Sequence, residues 1–223
     1  RAASCLFIGC VRGEILKMAR VLVLFAHPRT DRSVANTALV AAARAIDGVE
    51  LVDLYAEYPD FDIDIDREQR RLLESDNLVL QHPVYWYSSP ALLKEWQDLV
   101  FEHGFAYGSE GTALAGKVML QVATCGTARE AYKKRGKYEN ELRTLFSPFE
   151  QTAKFCGMRY LAPFGVFSAE DAEEEKRLDG IVADYSRLLT ALRDETLNLE
   201  KAGAAPLLND ILEEAISPEP AAV

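Results

Sequence analysis

Cysteine and histidine are scarce in this chain, with four cysteines and three histidines in 223 residues. Cys5, Cys10, Cys125 and Cys156 contain no CxxC pair, which argues against a disulfide framework and against a zinc site. His27, His82 and His103 are too widely separated to share a metal-ligand motif, so no metal is expected. Unpaired thiols in a chain of this size suit a reducing, cytoplasmic setting. No apolar run approaches the roughly 20 residues needed to span a bilayer. An excess of basic charge is also lacking. The net charge of −10 speaks against nucleic acid and anionic membrane surfaces as partners. There is no GxGxxG and no Walker loop, so neither a dinucleotide-binding Rossmann site nor an NTPase is supported.

What the chain has is apolar content: 49% of its residues are hydrophobic, enough for one core between helix layers. Residues 1–17 read as a leader set apart from the fold, because the apolar stretch Cys5–Val11 is short and closed by charge, and Met18 stands just before the first strand pattern. Residues 18–200 form the expected domain. Residues 201–223, with Pro206, Pro218 and Pro220, read as a tail that adds nothing to the core.

Arg20 to Ala26, RVLVLFA, has the continuous β-branched and apolar character of a parallel strand buried on both faces. A polar loop follows, then an alanine-rich helix from Ser33 to Ile46 with Ser33 as N-cap. Further strands are expected at Val49–Leu54, Asn77–Gln81, Lys117–Thr124 and Met158–Phe167. The intervening helices are Arg67–Glu74, Ala91–Val100 (opened by Pro90) and Glu139–Cys156, the last with a kink at Pro148. A long charged helix, Asp171–Leu199, closes the fold. Alternation of this kind predicts an α/β fold: a doubly wound five-stranded parallel sheet with helices on both faces. Ligands of such folds sit at the carboxyl ends of the strands, near the switch in strand order.

Three strand-end loops therefore matter. The first offers His27, Ser33 and Asn36 around a helix start, where free amides and the helix dipole favour an anion; Ser33 as a mere cap is the plainer reading. The second, Gln81 to Pro90, contains the consecutive aromatics Tyr85, Trp86 and Tyr87. They cannot all enter one core, and they suit a flat heteroaromatic ring or a subunit contact. Lys94, Glu95 and Asp98 just beyond read as a solvated helix face. The third loop, Ala123-Thr124-Cys125-Gly126-Thr127, is a small-residue turn that lets backbone donors approach a ligand. Cys125 reads as a small loop residue, since no histidine stands ready to activate it.

These loops together resemble the flavodoxin-like NAD(P)H:quinone oxidoreductases, and most of all the ancillary proteins of bacterial glutathione-regulated potassium-efflux systems. The residues that carry the resemblance are AHPRTDRSVAN (26–36), LYAEYPDFDIDIDREQ (54–69), QHPVYWYSSPALLKEWQDLVFEHGFAYG (81–108) and GTALAGK (111–117). It implies FMN, or alternatively FAD, with NAD(P)H as co-substrate and a quinone or similar electrophile as acceptor. It places His27, Ser33, Val34, Ala35 and Asn36 at the flavin phosphate and Val84, Tyr85, Trp86 and Tyr87 under the isoalloxazine ring. Ala123, Thr124, Cys125 and Gly126 match a Thr-Thr-Gly-Gly turn at the ring's pyrimidine edge, with Ala123 and Cys125 departing from it. Tyr107 is similar to a substrate-pocket tyrosine that comes from the other subunit of a homodimer. Tyr132 lies near the position of a tyrosine that stabilises reduced flavin in some of these reductases. Its usual histidine companion is absent around Arg135–Lys137, where Lys133 or Lys137 could supply charge.

The same resemblance implies a second role, as a flavin-binding regulatory subunit of a membrane potassium-efflux antiporter. A third reading is a low-potential electron carrier. For assembly, Leu92, Leu93, Trp96, Leu99, Phe101, Phe105 and Tyr107 carry more apolar surface than one side of a sheet obviously needs, which points to an exposed interface.

Overall fold

A computed structural model describes residues 18–216, together with the backbone of two short paired segments, Cys10–Val11 and Glu14–Ile15. The leader expected at 1–17 otherwise lies outside the described residues. Five strand positions are filled as the apolar runs predict: β1 Val21–Phe25, β2 Val49–Asp53, β3 Asn77–Pro83, β4 Val118–Thr124, and a last position split into β5 Arg159–Tyr160 and β6 Phe164–Val166. All pair in parallel in the order β2-β1-β3-β4-β5, with β6 also on β4. That order is the flavodoxin-like one, and its switch point lies between β1 and β3.

Because side chains alternate along a strand, each strand feeds two cores. Val21, Val23, Val79, Leu120 and Val122 pack beneath α1 (Val34–Arg44) and α7 (Leu178–Arg193). Leu22, Leu24, Leu78, Leu80 and Met119 pack on the opposite side with α2 (Leu54–Glu57), α3 (Ile65–Glu74), α4 (Ala91–Val100) and α6 (Ser147–Phe155). Here Leu92, Leu93 and Trp96 are fully buried and Phe101 nearly so. This corrects the expected exposed apolar interface on α4: the residues fold inward. Their polar anchor is Glu68, a fully buried carboxylate. It accepts from Trp96 Nε1 at 2.9 Å and Tyr58 Oη at 2.6 Å, and pairs with Arg71.

Three further expectations are corrected at element ends. The helix expected over Glu139–Cys156 is two helices, α5 Leu142–Leu145 and α6. Pro148 sits in the first turn of α6, where its missing N–H costs nothing, and introduces no kink. The long closing helix shrinks to α7, because Arg177 bonds the carbonyls of Phe167 and Ser168 and folds the acidic stretch before it back on itself. At the far end Glu195, at φ 56°, stops the helical path. The fifth strand breaks at Pro163, which has no N–H to give.

The tail also departs from expectation. Helix α8 (Leu199–Ala204) and α9 (Leu212–Ala215) flank Leu207 and Leu208, and Ala202, Leu208, Leu212 and Ala215 are core residues. Asn209 works as a substitute strand: its amide oxygen accepts from Gly165 N at 2.8 Å and its Nδ2 donates to Gly165 O at 3.0 Å. The outer edge of β6 is thereby covered. Sequence polarity hid this because the segment contributes isolated apolar residues between prolines. Among the described residues, no helix is long and apolar enough to cross a membrane.

Leu208→Ala should therefore destabilise the fold by about 2–5 kcal/mol, the range for a buried leucine truncation. Denaturant unfolding checks this, and an unmoved midpoint would show the segment to be dispensable.

Candidate functional site

The strand ends at Phe25, Pro83 and Thr124 bring the three loops to one edge of the sheet. A single buried side chain joins them. Asn36, in the first turn of α1, donates through Nδ2 to Ser33 Oγ at 3.0 Å and to Thr124 Oγ1 at 2.9 Å. Its Oδ1 accepts from Gln81 Nε2 at 3.3 Å, and Gln81 Oε1 accepts from Tyr185 Oη at 2.7 Å. Asn36 and Gln81 have no exposed surface. The amide thus spends both protons and an oxygen lone pair on α1, β3 and β4, with α7 behind them.

Ser33 caps α1 by accepting from Asn36 N. The amides of Val34 and Ala35 donate to nothing among the described residues, and the first turn carries no acidic side chain. They form the anion-ready end of the helix. His27 lies beside them, nearly buried, its Nδ1 accepting from Arg29 N at 3.0 Å. That bond leaves the proton of the neutral ring on Nε2. Burial lowers its pKa below the usual histidine value, against the opposing pull of Asp31 and Asp53.

The aromatic loop is a tight hairpin closed by Tyr85 N to Ser88 O and Ser88 N to Tyr85 O, both 3.0 Å. Its two central residues, Trp86 and Tyr87, have φ of 46° and 65°. Turns with both central φ positive are ordinarily made of Asn and Gly. Placing two bulky aromatics there costs about 1–3 kcal/mol each. Trp86 is moreover 93% exposed. Neither strain nor exposure is explained by packing within the chain. Lys94 and Asp98 pair across one exposed helical turn, as expected of a solvated face.

In the third loop Ala123 and Cys125 are buried with Tyr132, Leu142, Phe146 and Leu207. Cys125 N is already committed to Val166 O at 2.8 Å, so its amide is not the free donor expected at this turn. Burial pushes its thiol up to about 12, which suits an inert side chain. The donors left over are the amides of Gly126 and Thr127, which have no acceptor among the described residues, and Thr127 Oγ1, a buried hydroxyl without a partner. Thr127 was a member of the loop but not among the site residues expected.

Tyr132 is buried in a 3-10 turn, Arg129–Tyr132, with its ring 5.5 Å from Phe167 and 5.0 Å from Tyr138. Burial, reinforced by Cys125, raises its pKa, so its hydroxyl stays protonated. Tyr138 in turn meets the strained turn, its ring edge-on to Tyr87 at 5.5 Å. Sequence reading missed Tyr138 altogether, since its role rests on a contact across 51 positions. Tyr107 is not brought to these loops within the chain. Its ring meets His103 at 5.5 Å and Phe155 at 5.3 Å.

Beneath the site His82 is fully buried. Tyr160 Oη donates to Gln121 Oε1 at 2.7 Å, so Gln121 Nε2 donates to His82 Nε2 at 3.0 Å and His82 Nδ1 donates to Pro83 O at 3.0 Å. Burial lowers the His82 pKa to about 4.

The fold and these loops define the class: a doubly wound parallel α/β protein whose candidate site lies at the β1/β3 switch point. The chain belongs to the family of flavodoxin-like fold proteins, whose sequence profile matches residues 19–189. It is 46% identical over 156 residues to the glutathione-regulated potassium-efflux system ancillary protein KefG of Serratia proteamaculans, covering 70% of this chain and 85% of that one. Among solved structures it matches general stress protein 14 of Treponema denticola in complex with FMN at 35% identity and a TM-score of 0.73, covering 78% of this chain and 99% of that one. A protein of P. pentosaceus described as an NADPH-quinone reductase matches at 30% identity and a TM-score of 0.69, covering 76% and 96%.

Two measurements follow. The unfolded chain protonates His82 near its ordinary 6.5 and the folded chain only near 4. Stability is therefore full above the higher value and falls as pH drops between them, by about 3 kcal/mol. His82→Gln should reduce that slope in urea unfolding, leaving the smaller share of His27, and an unchanged slope would refute it. For Tyr138, the reporter is Trp86, since the only other tryptophan, Trp96, is buried. Tyr138→Ala should increase the fast component of Trp86 anisotropy decay while Tyr138→Phe should not; equal behaviour would remove Tyr138 as support for the turn.

Proposed function

We propose that this chain is a flavin-dependent oxidoreductase of the NAD(P)H:quinone type that holds FMN at the β1/β3 switch point. The observation that carries the reading is the strained, exposed Trp86-Tyr87 turn, set beside a helix start with two free amides and a turn with unspent donors. The residues fit a phosphorylated flavin group by group. The Val34 and Ala35 amides, with Ser33, Asn36 and the Nε2–H of His27, suit a phosphate. Val84 to Tyr87 offer an aromatic seat for a flat ring. Thr124 and the amides of Gly126 and Thr127 suit the carbonyl edge of that ring, with Ala123 and Cys125 shaping the turn from below. One phosphate-type helix start favours FMN over FAD, and the FMN complex of the Treponema relative supports that choice.

A flavin held there would supply the redox chemistry, the exchange of hydride between NAD(P)H and a quinone or similar electrophile. The protein's part is to bind, orient and shield. Donors fixed beforehand at the ring edge stabilise the negative charge that hydride arrival leaves, with no reorganisation during the reaction. Tyr132, protonated and buried beside that turn, is placed as a further hydroxyl donor, and Lys133 and Lys137 supply positive charge nearby. A two-fold homodimer completes the pocket by setting Tyr107 of one protomer beside the loops of the other. Phe155, 67% exposed against Tyr107, supports a contact on that face.

A second role has its own support. The identity with KefG motivates an association with a membrane potassium-efflux antiporter, as a cytoplasmic partner held at the membrane by that protein.

Purified protein should be yellow and release FMN by mass; absence of any flavin would defeat the reading, and FAD would defeat the choice of cofactor. Trp86→Ala should weaken FMN binding by about 1–3 kcal/mol, the worth of a large aromatic contact. An unchanged dissociation constant in that variant would move the site elsewhere. Co-purification with an antiporter tests the second role separately.

A further inference from the structure

Beside Tyr132 and Tyr138 lies the densest cationic run of this acidic chain, Lys133-Lys134-Arg135-Gly136-Lys137. Two of its cations are engaged: Lys133 pairs with Glu130 at 3.5 Å and Lys137 lies over the Tyr138 ring at 5.5 Å. Neighbouring Arg129 is held by Asp210 at 2.6 Å. Lys134 and Arg135 are exposed and have no acidic partner among the described residues. The nearby carboxylates, Glu130 and Glu139, leave the loop with a positive excess in a chain of net charge −10.

This loop is built to a fixed shape. Gly136 N donates to Lys133 O at 2.8 Å and Tyr138 N to Ala131 O at 3.0 Å. A Cβ at Gly136 would meet Glu130 O at 2.2 Å and Ala131 O at 2.7 Å, so only glycine lets the chain close so tightly. The tyrosine pair then anchors it to the site, Tyr138 on Tyr132 at 5.0 Å and on Tyr87 at 5.5 Å. The two unspent cations therefore stand in a fixed loop, three and four positions before the ring that meets the aromatic turn. A disordered basic tail would not be held there.

We infer that Lys134 and Arg135 bind the 2′-phosphate of NADPH and make it the preferred donor over NADH. The inference rests on the functional reading above. A nicotinamide ring that lies at the aromatic turn leaves its adenosine end to extend over the rim. The 2′-phosphate, with close to two negative charges, is the one group by which the two donors differ. An exposed cation about 4 Å from such a group favours it by about fivefold or more at low salt, and the effect is screened as salt rises.

The test compares NADPH with NADH in steady state, at low and at high salt, for the wild type and for Lys134→Glu/Arg135→Glu. We expect KM for NADPH to lie at least about tenfold below that for NADH at low salt. In the neutral variant Lys134→Gln/Arg135→Gln the two should converge, with kcat and KM for NADH within about twofold of wild type; in the charge-reversed variant KM for NADPH should rise to or above that for NADH. Equilibrium titration with 2′,5′-ADP and 5′-AMP supplies a readout independent of turnover, and 2′,5′-ADP should bind more tightly by a similar, salt-sensitive factor. Equal KM values in the wild type, a preference that survives charge reversal, or equal binding of the two nucleotides would each overturn the inference. If neither donor is oxidised while 2′,5′-ADP binding remains dependent on Lys134 and Arg135, the oxidoreductase reading falls and the phosphate site stands.

Discussion

The site depends on the buried amide of Asn36. Its hydrogen bonds to Ser33, Thr124 and Gln81 hold the start of α1 against the ends of β3 and β4. A buried amide must satisfy its protons and oxygen or pay their full desolvation cost, so these elements are locked in one arrangement. Tyr185 extends the lock to α7 through Gln81. The loops themselves are short and would otherwise be free to move independently. Their common geometry comes from the network beneath them.

On that frame the chain breaks local rules in a concentrated way. A two-residue turn suited to Asn-Gly is built from Trp86 and Tyr87, and one of those rings is left in water. A helix start keeps two amides unspent, and a neighbouring turn keeps two more beside an unpartnered hydroxyl. Phe61, Glu139, Ser168, Lys176 and Glu195 also have positive φ, but the Trp86-Tyr87 turn is where two consecutive large aromatics do, and such strain at a strand end is the kind that accompanies a binding site. His82 belongs to the same design from below. Its tautomer is fixed through Tyr160 and Gln121 so that it ties off the carbonyl of Pro83, where the strand turns into the aromatic loop.

Much of this was legible in the amino-acid sequence. Arg20 to Ala26 reads as a strand buried on both faces, because its apolar character is continuous and β-branched, and the apolar runs at Asn77–Gln81 and Lys117–Thr124 read as further strands of the same sheet. Pro90 and Ser33 marked helix starts through backbone chemistry that is local to a few residues. The alternation of these elements determined the parallel doubly wound sheet, and with it the edge where ligands of such folds sit. The aromatic run and the small-residue turn identified the loops, since no packing arrangement easily absorbs three neighbouring rings.

Tertiary structure decided the rest, wherever the deciding contact joins residues distant in the chain. Whether Leu92, Leu93 and Trp96 face inward depended on a buried carboxylate, Glu68, waiting 28 positions before Trp96. Whether the segment around Leu208 joins the core depended on Asn209 reaching Gly165. Cys125 lost its expected free amide to a strand that arrives 41 residues later, at Val166. Tyr138 acquired its place from Tyr87 and Tyr132 together. Periodicity and local propensity report which residues must leave water and how the backbone near them bends. They carry no information about which distant partner will satisfy a given donor, and that pairing determines which donors remain for a ligand.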